Sequence, residues 1–351
     1  MNTTTVQTDS GLEDQAGTGT WDGEPLVTYT CRLDALAAQL PRVERRPFGL
    51  VAPSLPAAST LGLPGLPPRV ENPYYDLIVR LPDQHLAAEV PVGIVSKRYR
   101  LVQHAELVEG VVAGLKAAKL SWASFPTDVR ITELGTRLHF TVHLPERFRA
   151  PVGKDGLDLT IECLNSVDRS WAFRVGMGWI RLVCGNGLFV GRVTATMRHP
   201  HVETLRVEHI PDLVVRGFAA AEADAGWWRA RAQAAVSSTA LESWADAAVT
   251  KRWGVLAAAR TLHIARTGHD GRFQTLAENA PASRRTMVST DPVPGSAPPN
   301  DNVFRVGQIL AWLANSLGEW GGRLERRRQV PELLAPLVRA AGHPRAYTTR
   351  A

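Results

Sequence analysis

The sequence has little cysteine and no long apolar run. Three cysteines among 351 residues are too few, and odd in number, for a disulfide framework. No stretch reaches the roughly 18 consecutive apolar residues that would indicate a membrane span. The opening residues, MNTTTVQTDSGLEDQ, contain neither the basic region nor the apolar core of a signal peptide. These absences predict a soluble, reduced, cytoplasmic protein without a membrane partner.

The motifs of several common enzyme classes are also missing. The chain has no G-x-x-x-x-G-K-[ST], no G-x-G-x-x-G between a strand and a helix, and no H-E-x-x-H, G-x-S-x-G or C-x-x-C. This argues against NTPases, zinc proteases and serine hydrolases of the usual types. His199, His201 and His209 have no known metal-ligand spacing and no cysteine pair nearby. We therefore expect no metal and no cofactor.

Charge is distributed unevenly along the chain. Residues 1–31 contain five of the 34 acidic residues and none of the 40 lysines and arginines. This predicts a disordered acidic tail over residues 1–30 and a basic body, a combination typical of proteins with a polyanionic partner. An alanine- and arginine-rich composition would produce the same bias, so both interpretations stay open at this point.

Hydrophobic periodicity divides the remaining chain into two regions. An α/β core is expected over residues 31–210, and a helical region over 211–345 with a proline-rich loop at 281–300. Strands are predicted at 137–144, 157–163, 171–175, 179–184 and 193–197, and a helix at 104–120. Because the strands precede most of the helices, we predict an α+β fold. It would have a central, mostly antiparallel sheet packed on a helix and a helical C-terminal region.

Basic residues recur on one face of the predicted strands. Arg137 and His139 alternate with apolar residues on one strand, as Arg192 and Arg198 do on another. A nucleic-acid backbone is bound by cations spaced along its phosphates, and the bases of a single strand also stack on aromatic side chains. Trp171 and Trp179 are candidates for such stacking in addition to Tyr99. An ordinary solvated sheet face is the alternative. The predicted nucleic-acid-binding residues are Lys97, Arg98, Tyr99, Arg100, Arg137, His139, Arg174, Arg192 and Arg198.

A second set of residues has no assigned role: Asn165, Ser166, Asp168, Arg181, Cys184 and Asn186. The polar residues after the 157–163 strand either bind a phosphate or metal or cap their own turn. Cys184 precedes an Asn-Gly turn and is either a nucleophile, with His139 or His143 as its base, or a buried inert thiol. An enzyme is the less favoured interpretation.

Three strings follow one another along the chain: VSKRYRLVQH at 95–104, LNSVDRS at 164–170 and RLVCGNGL at 181–188. In order and spacing they resemble the phage/plasmid-like protein family known as a domain of unknown function (number 932), over roughly residues 75–335. Its segments read V-S-x-x-Y-x-x-V, N-S-x-D-G-S and R-x-V-C-x-N-G/T-L, so Arg169 stands where glycine is usual. The resemblance implies a mobile-element setting. It also implies an architecture similar to single-strand annealing proteins, with a helix against a curved antiparallel sheet.

The favoured hypothesis is a non-enzymatic, phage- or plasmid-type protein that binds single-stranded DNA without sequence specificity. It would form homo-oligomers and assist annealing or recombination. One alternative is a mobile-element interaction module that modulates a host system through the tryptophan-bearing helices. Another is a Cys-dependent enzyme. Charges along an open groove favour nucleic-acid binding, apolar patches favour the module, and a closed polar pocket favours the enzyme.

Overall fold

The computed structural model describes residues 20–21, 23–51, 69–152, 155–181, 188–274, 280–316 and 320–341. Thirteen strands lie within these ranges: β1 Thr20–Trp21, β2 Glu24–Arg32, β3 Val43–Val51, β4 Arg69–Arg80, β5 Val90–Ser96, β6 Pro126–Thr132, β7 Arg137–His143, β8 Ala150–Val152, β9 Asp155–Ser166, β10 Phe173–Arg181, β11 Leu188–His199, β12 His269–Phe273 and β13 Met287–Pro292. Eight α-helices lie within them as well: α1 Leu33–Gln39, α2 His104–Ala117, α3 Ile210–Gln233, α4 Ser238–Trp244, α5 Thr250–Trp253, α6 Val255–Thr267, α7 Val303–Asn315 and α8 Trp320–Ala340.

The described strands form three sheets. The largest has the strand order β1-β2-β6-β7-β9-β10-β11, and β8 pairs with β9. Its β2, β6 and β7 are antiparallel neighbours, with Tyr29 opposite Val129 and Val129 opposite Phe140. Strands β3, β4 and β5 form a second antiparallel sheet, and β12 and β13 form a third. The predicted α+β class, with a large antiparallel sheet and a helical C-terminal region, is confirmed.

The chain forms two compact units, each made of several chain segments, so the boundary between them is not the single division predicted at residue 210. One unit contains the chain up to Val142 together with Glu162–Val175 and Met197–Pro211. The other contains His143–Ile161, Gly176–Thr196 and the chain from Asp212 onward. The long strands β9, β10 and β11 each contribute residues to both units. No helix of the described part is long and apolar enough to cross a membrane.

In the first unit, α2 begins where the sequence predicts. The N–H of Gln103 donates to the carboxylate of Glu106 (3.3 Å), and the amide of Gln103 bonds the backbone of Val43 on β3 (Nε2 to O 2.9 Å). The apolar residues of α2 recur at helical spacing and are buried: Leu107, Val108, Val111 and Leu115. At this spacing they form one apolar stripe, whose burial supplies most of the stability of a helix this short.

The small sheet of the first unit has its own apolar core. Val43 of β3, Ile78 of β4 and Val95 of β5 pack together with Tyr99 and Val167. All five are at most 5% exposed. This cluster holds β3, β4 and β5 against the segment that follows β5, and it therefore fixes the position of that segment beside the small sheet.

The second unit is built around buried tryptophans. Trp228 of α3 packs edge-on against Phe304 of α7, with ring centroids 5.8 Å apart. The indole N–H of Trp244 donates to Leu333 O (2.7 Å), and that of Trp253 donates to Gln329 Oε1 (2.8 Å). These three indoles are at most 7% exposed. They form core contacts of the helical unit and not an exposed docking face.

Two expectations about strands are wrong. Strand β2 occupies residues assigned to a disordered tail, because its β-branched and aromatic residues pair with β6 over Leu26–Arg32. Gly176-Met177-Gly178 does not separate two strands, since β10 runs through it. The strand is buried on both sides there, and Thr160 Oγ1 donates to Gly178 O (3.3 Å). Glycine within a strand permits such a close approach.

Two expectations about the C-terminal region are also wrong. The proline-rich segment at 281–300 is not all loop, because Met287–Pro292 pairs with β12 as a hairpin. Helical periodicity from Val303 to Arg328 predicts a single helix, but α7 ends at Asn315 and α8 begins at Trp320. Local periodicity is continuous across this interval, so the pattern alone does not mark where the first helix ends.

Candidate nucleic-acid interface

Strand β4 contains a large bulge opposite β3. Pro47 pairs with Asp76 and Gly49 pairs with Glu71, so the four residues Asn72–Tyr75 face Phe48 alone. Pro47 has no N–H to donate to a neighbouring strand, which favours an interruption of the ladder at this point. A bulge bends its strand and redirects side chains away from the regular alternation. We call Asn72–Tyr75 the tyrosine bulge.

The tyrosine bulge is held by the side chain of Asn72. Its Oδ1 accepts the N–H groups of Tyr74 (2.8 Å) and Tyr75 (3.1 Å). These bonds satisfy two backbone donors next to the interrupted ladder, in the manner of an Asx turn. Tyr74 O accepts the N–H of Lys97 (2.9 Å). The bulge is thus a bonded structure that is tied to the segment after β5.

Both tyrosine side chains of the bulge are exposed to solvent. Tyr74 is 73% exposed and Tyr75 is 41% exposed. Ile94, on the neighbouring β5, is 46% exposed and pairs with Leu77. Tyrosine usually keeps its ring at least partly covered, so two exposed tyrosines at successive positions are suited to contact a ligand.

The basic segment Lys97–Arg100 follows β5 directly beside the tyrosine bulge. Lys97 Nζ forms an ion pair with the buried carboxylate of Asp76. The Arg98 side chain is 84% exposed, and its Nε lies 3.9 Å from Glu203 Oε1. Arg100 is also exposed. Arg98 and Arg100 therefore present charge to solvent, whereas Lys97 shares the carboxylate of Asp76 with Arg45.

Tyr99 is not the exposed stacking platform that the sequence predicted. It is 5% exposed, and its hydroxyl donates to Ser166 O (2.9 Å). Burial is the main cause that raises the pKa of this phenol above its ordinary value of 10. Trp179, another predicted platform, is 3% exposed. Trp171 is partly buried and contacts Trp21, with ring centroids 4.6 Å apart.

The segment after β11 joins the basic segment. The N–H of Arg100 donates to His201 O (3.2 Å), and Tyr99 forms an isolated antiparallel bridge with Val202. Arg198 is exposed and precedes His201 by three residues, which places it within about 10 Å of His201 along the chain. The structure thus brings Arg98, Arg100 and Arg198 into one region.

On β7, the predicted binding residues Arg137 and His139 do not form an exposed basic face. Arg137 is 12% exposed, donates to Ser170 Oγ (2.7 Å) and Trp21 O (3.1 Å), and lies 3.3 Å from Asp168. His139 is buried, with Nε2 3.0 Å from Glu162 Oε1. The expected exposure is wrong for these two residues, because the Arg137 side chain bonds the 168–170 turn and the backbone of β1, and His139 pairs with Glu162 of β9.

Three further residues singled out in the sequence lie on strands β10 and β11. Arg174 is partly buried on β10. Arg181 and Arg192 lie on β10 and β11, and their side chains are outside the described part. Cys184 and Asn186 lie outside the described residues altogether. The Cys184 hypothesis therefore remains a prediction from sequence.

Asn165 and its neighbours form a buried polar cluster. Asn165 Nδ2 donates to Val102 O (2.9 Å) and to His104 Nδ1 (3.0 Å), while His104 Nε2 donates to Gly135 O (2.9 Å). A carbonyl only accepts, so these bonds fix both the amide orientation and the histidine tautomer. Burial lowers the pKa of His104 to about 4. The imidazole is thus neutral at physiological pH and serves to anchor the start of α2.

Ser166 and Asp168 bond within their own turn. Ser166 Oγ accepts the N–H of Trp171 (3.0 Å), and Asp168 Oδ1 accepts the N–H (2.9 Å) and hydroxyl (2.5 Å) of Ser170. Arg169 has a φ of 72°, in the left-handed region that favours glycine. These contacts match the turn-capping alternative. Within the described ranges, no group of three or more His, Cys, Asp or Glu residues could hold a metal ion.

Comparison with known proteins assigns the family. The model of the family described as Domain of unknown function (DUF932) matches residues 91–290, more than half of the chain. The chain belongs to this family. No curated protein and no solved structure matches it. The DUF932 range is narrower than the predicted 75–335. It contains the basic segment and the polar cluster but not the tyrosine bulge.

Tyr74 and Tyr75 are not among the binding residues predicted from the sequence. They follow six prolines between residues 53 and 73, in a stretch that reads as an extended or looped segment. The Asn72-Pro73 pair is a turn signal, and it stands immediately before two adjacent aromatic residues. A turn signal directly before two aromatic residues is the sequence pattern that could have identified these tyrosines as exposed. The exposure of the rings depends on the β3–β4 register, which involves residues far apart in sequence.

Proposed function

We propose that this DUF932 protein binds single-stranded nucleic acid, with single-stranded DNA as the favoured ligand. The observation that carries the proposal is the pairing of two exposed tyrosines, in a hydrogen-bonded bulge, with the exposed cations of Arg98 and Arg100. Single-strand binders combine aromatic platforms, on which bases stack, with cations that follow the backbone. Both components are present here within one unit of the fold.

The two components have different roles in the proposal. Tyr74 and Tyr75 stack on bases, and each stacked base contributes about 1–3 kcal/mol by alanine substitution. Arg98, Arg100 and Arg198 contact phosphates, and these contacts make binding dependent on salt. Stacking accepts every base, so the binding is expected to be independent of sequence.

We propose a cellular role of the same type as the sequence predicts. The protein would coat or pair single strands in the cytoplasm during annealing or recombination on a phage, plasmid or integrated island. Oligomerisation would allow contacts along the strand. The free thiols of Cys31 and Cys163 agree with a reducing compartment.

The experiment is fluorescence anisotropy of labelled single- and double-stranded oligonucleotides over a series of salt concentrations. We expect the single strand to bind more tightly, with affinity falling as salt rises. In the Arg98→Ala/Arg100→Ala variant, the slope of log K against log salt should become shallower by about 0.7 for each lost phosphate contact.

The matched control is Arg252→Ala/Arg266→Ala, which also removes two positive charges. These arginines lie in the second unit, with side chains 51% and 48% exposed. The control should retain the salt slope of the native protein. Absence of single-strand binding at low salt would rule out the proposal. An equal change in both variants would show that only net charge matters.

A further inference from the structure

We propose that His201 is the positioning residue of this interface. In its neutral form it holds the basic segment beside the tyrosine bulge, and on protonation it releases that segment. The inference rests on the proposed function for its biological meaning. Its structural claim concerns the backbone of Arg100 and can be tested without a ligand.

His201 clamps the basic segment through three contacts. Its backbone O accepts the N–H of Arg100 (3.2 Å), and its side-chain Nδ1 lies 3.1 Å from Arg100 O. Its ring stacks on Tyr99, with centroids 5.0 Å apart and planes inclined by 19°. Both backbone polar groups of Arg100 are therefore satisfied by one residue. Arg98 and Arg100 flank the stacked tyrosine, so the clamp sets where their side chains leave the surface.

The clamp requires the neutral tautomer of His201. Because the carbonyl of Arg100 can only accept, Nδ1 carries the hydrogen and the neutral ring has its lone pair on Nε2. Among the described residues, Nε2 is buried and has no hydrogen-bond partner. Protonation would place there a charged N–H without an acceptor, which is costly in a buried position. If the contact between His201 and the basic segment opens, water can accept the hydrogen bond of the Nε2 N–H, and this cost disappears.

Several ionisable groups surround His201. Asp168, in the turn after β9, favours the charged ring, whereas His199 of β11 disfavours it. His104 of α2 interacts electrostatically with His201 and is kept neutral by its own burial. The edge of the Phe173 ring on β10 closes another side, at 6.1 Å and 82°. Burial outweighs the attraction of Asp168, and the pKa of His201 lies below its ordinary value of 6.5.

The lowered pKa of His201 determines the sign of the expected pH dependence. A histidine whose pKa is lowered in the closed arrangement stabilises that arrangement fully above about pH 6.5 and loses the effect as the pH falls below it. Affinity for a single strand should therefore decrease on mild acidification. A general gain of positive charge at low pH would have the opposite effect, because added positive charge attracts a polyanion. The sign of the change separates the two causes.

The experiment compares the native full chain with His201→Gln and His201→Phe between pH 7.5 and 5.5. Hydrogen–deuterium exchange of a peptide covering residues 97–101 reports the closed backbone, expressed as protection relative to the intrinsic rate at each pH. Anisotropy with a labelled single-stranded oligonucleotide reports binding. Circular dichroism at each pH confirms that the chain remains folded. Glutamine can donate to Arg100 O and does not titrate, whereas phenylalanine retains only the ring stack.

In the native protein we expect protection of the 97–101 peptide to fall on acidification and affinity to weaken at least about fivefold. His201→Gln should restore protection and affinity at pH 5.5, and His201→Phe should bind weakly at every pH. Protection that is independent of pH in the native protein, or that changes equally in His201→Gln, overturns the inference. If no form binds at any pH, the proposed function fails and the exchange measurement alone decides the role of His201.

Discussion

Acidification should destabilise the first unit through His104. This imidazole is 1% exposed, and both of its nitrogens are bonded in the neutral form. Its pKa falls from 6.5 to about 4 because burial penalises the charged ring. Between these pH values the unfolded chain binds a proton that the folded chain does not. The stabilising contribution is therefore complete above about pH 6.5 and is lost progressively as the pH falls towards 4.

The size of the effect follows from the same values. One unit of pKa corresponds to about 1.4 kcal/mol, so the shift of His104 corresponds to about 3 kcal/mol of unfolding free energy. Urea unfolding followed by circular dichroism at several pH values between 7.5 and 4.5 measures it. The His104→Gln variant lacks the titrating group and should show a shallower dependence on pH.

The matched control is His85→Gln, which replaces an exposed histidine of the same unit. It should retain the pH dependence of the native chain. The reasoning is refuted if His104→Gln loses stability on acidification as steeply as the native protein does. It is also refuted if both variants change the dependence equally, since burial would then play no part.

Three further substitutions test other parts of the account. Asn72→Ala removes the two hydrogen bonds from its side chain to the N–H groups of Tyr74 and Tyr75. Unfolding free energy should fall by about 1–3 kcal/mol and single-strand affinity should weaken, as measured by urea unfolding and anisotropy. Arg169→Gly relieves a left-handed backbone, and the thermal midpoint should stay equal or rise in calorimetry. Gln308→Leu replaces a side chain that is 2% exposed and whose amide atoms have no partner among the described residues. It should raise unfolding free energy by about 1–3 kcal/mol in urea titrations.

Local sequence signals predicted the parts of the structure that local interactions determine. Alternation over 137–144 predicts β7, because the period of two is a property of the strand itself. Ser166 and Asp168 predict a capped turn, because they bond residues at most five positions away, whereas Asn165 bonds residues of the distant 102–104 segment. The family resemblance likewise rested on contiguous strings, and the match over 91–290 agrees with it.

Long-range pairing decided what the local signals could not predict. His139 and Tyr99 look like exposed functional residues in the sequence, yet they are buried by strands and turns that are distant along the chain. Tyr74 and Tyr75 look like part of a proline-rich connection, yet the β3–β4 register exposes them. The candidate site therefore kept its basic segment from the sequence and gained its aromatic surface only from the structure.

The most direct test of the central claim is the affinity of Tyr74→Ala/Tyr75→Ala for a labelled single-stranded oligonucleotide. The comparison is with Tyr74→Phe/Tyr75→Phe, which retains both rings. If bases stack on the tyrosine bulge, the alanine variant should bind at least about tenfold more weakly, and the phenylalanine variant should bind nearly as the native protein does. Equal binding by all three proteins, with each folded by circular dichroism, would contradict the proposed interface.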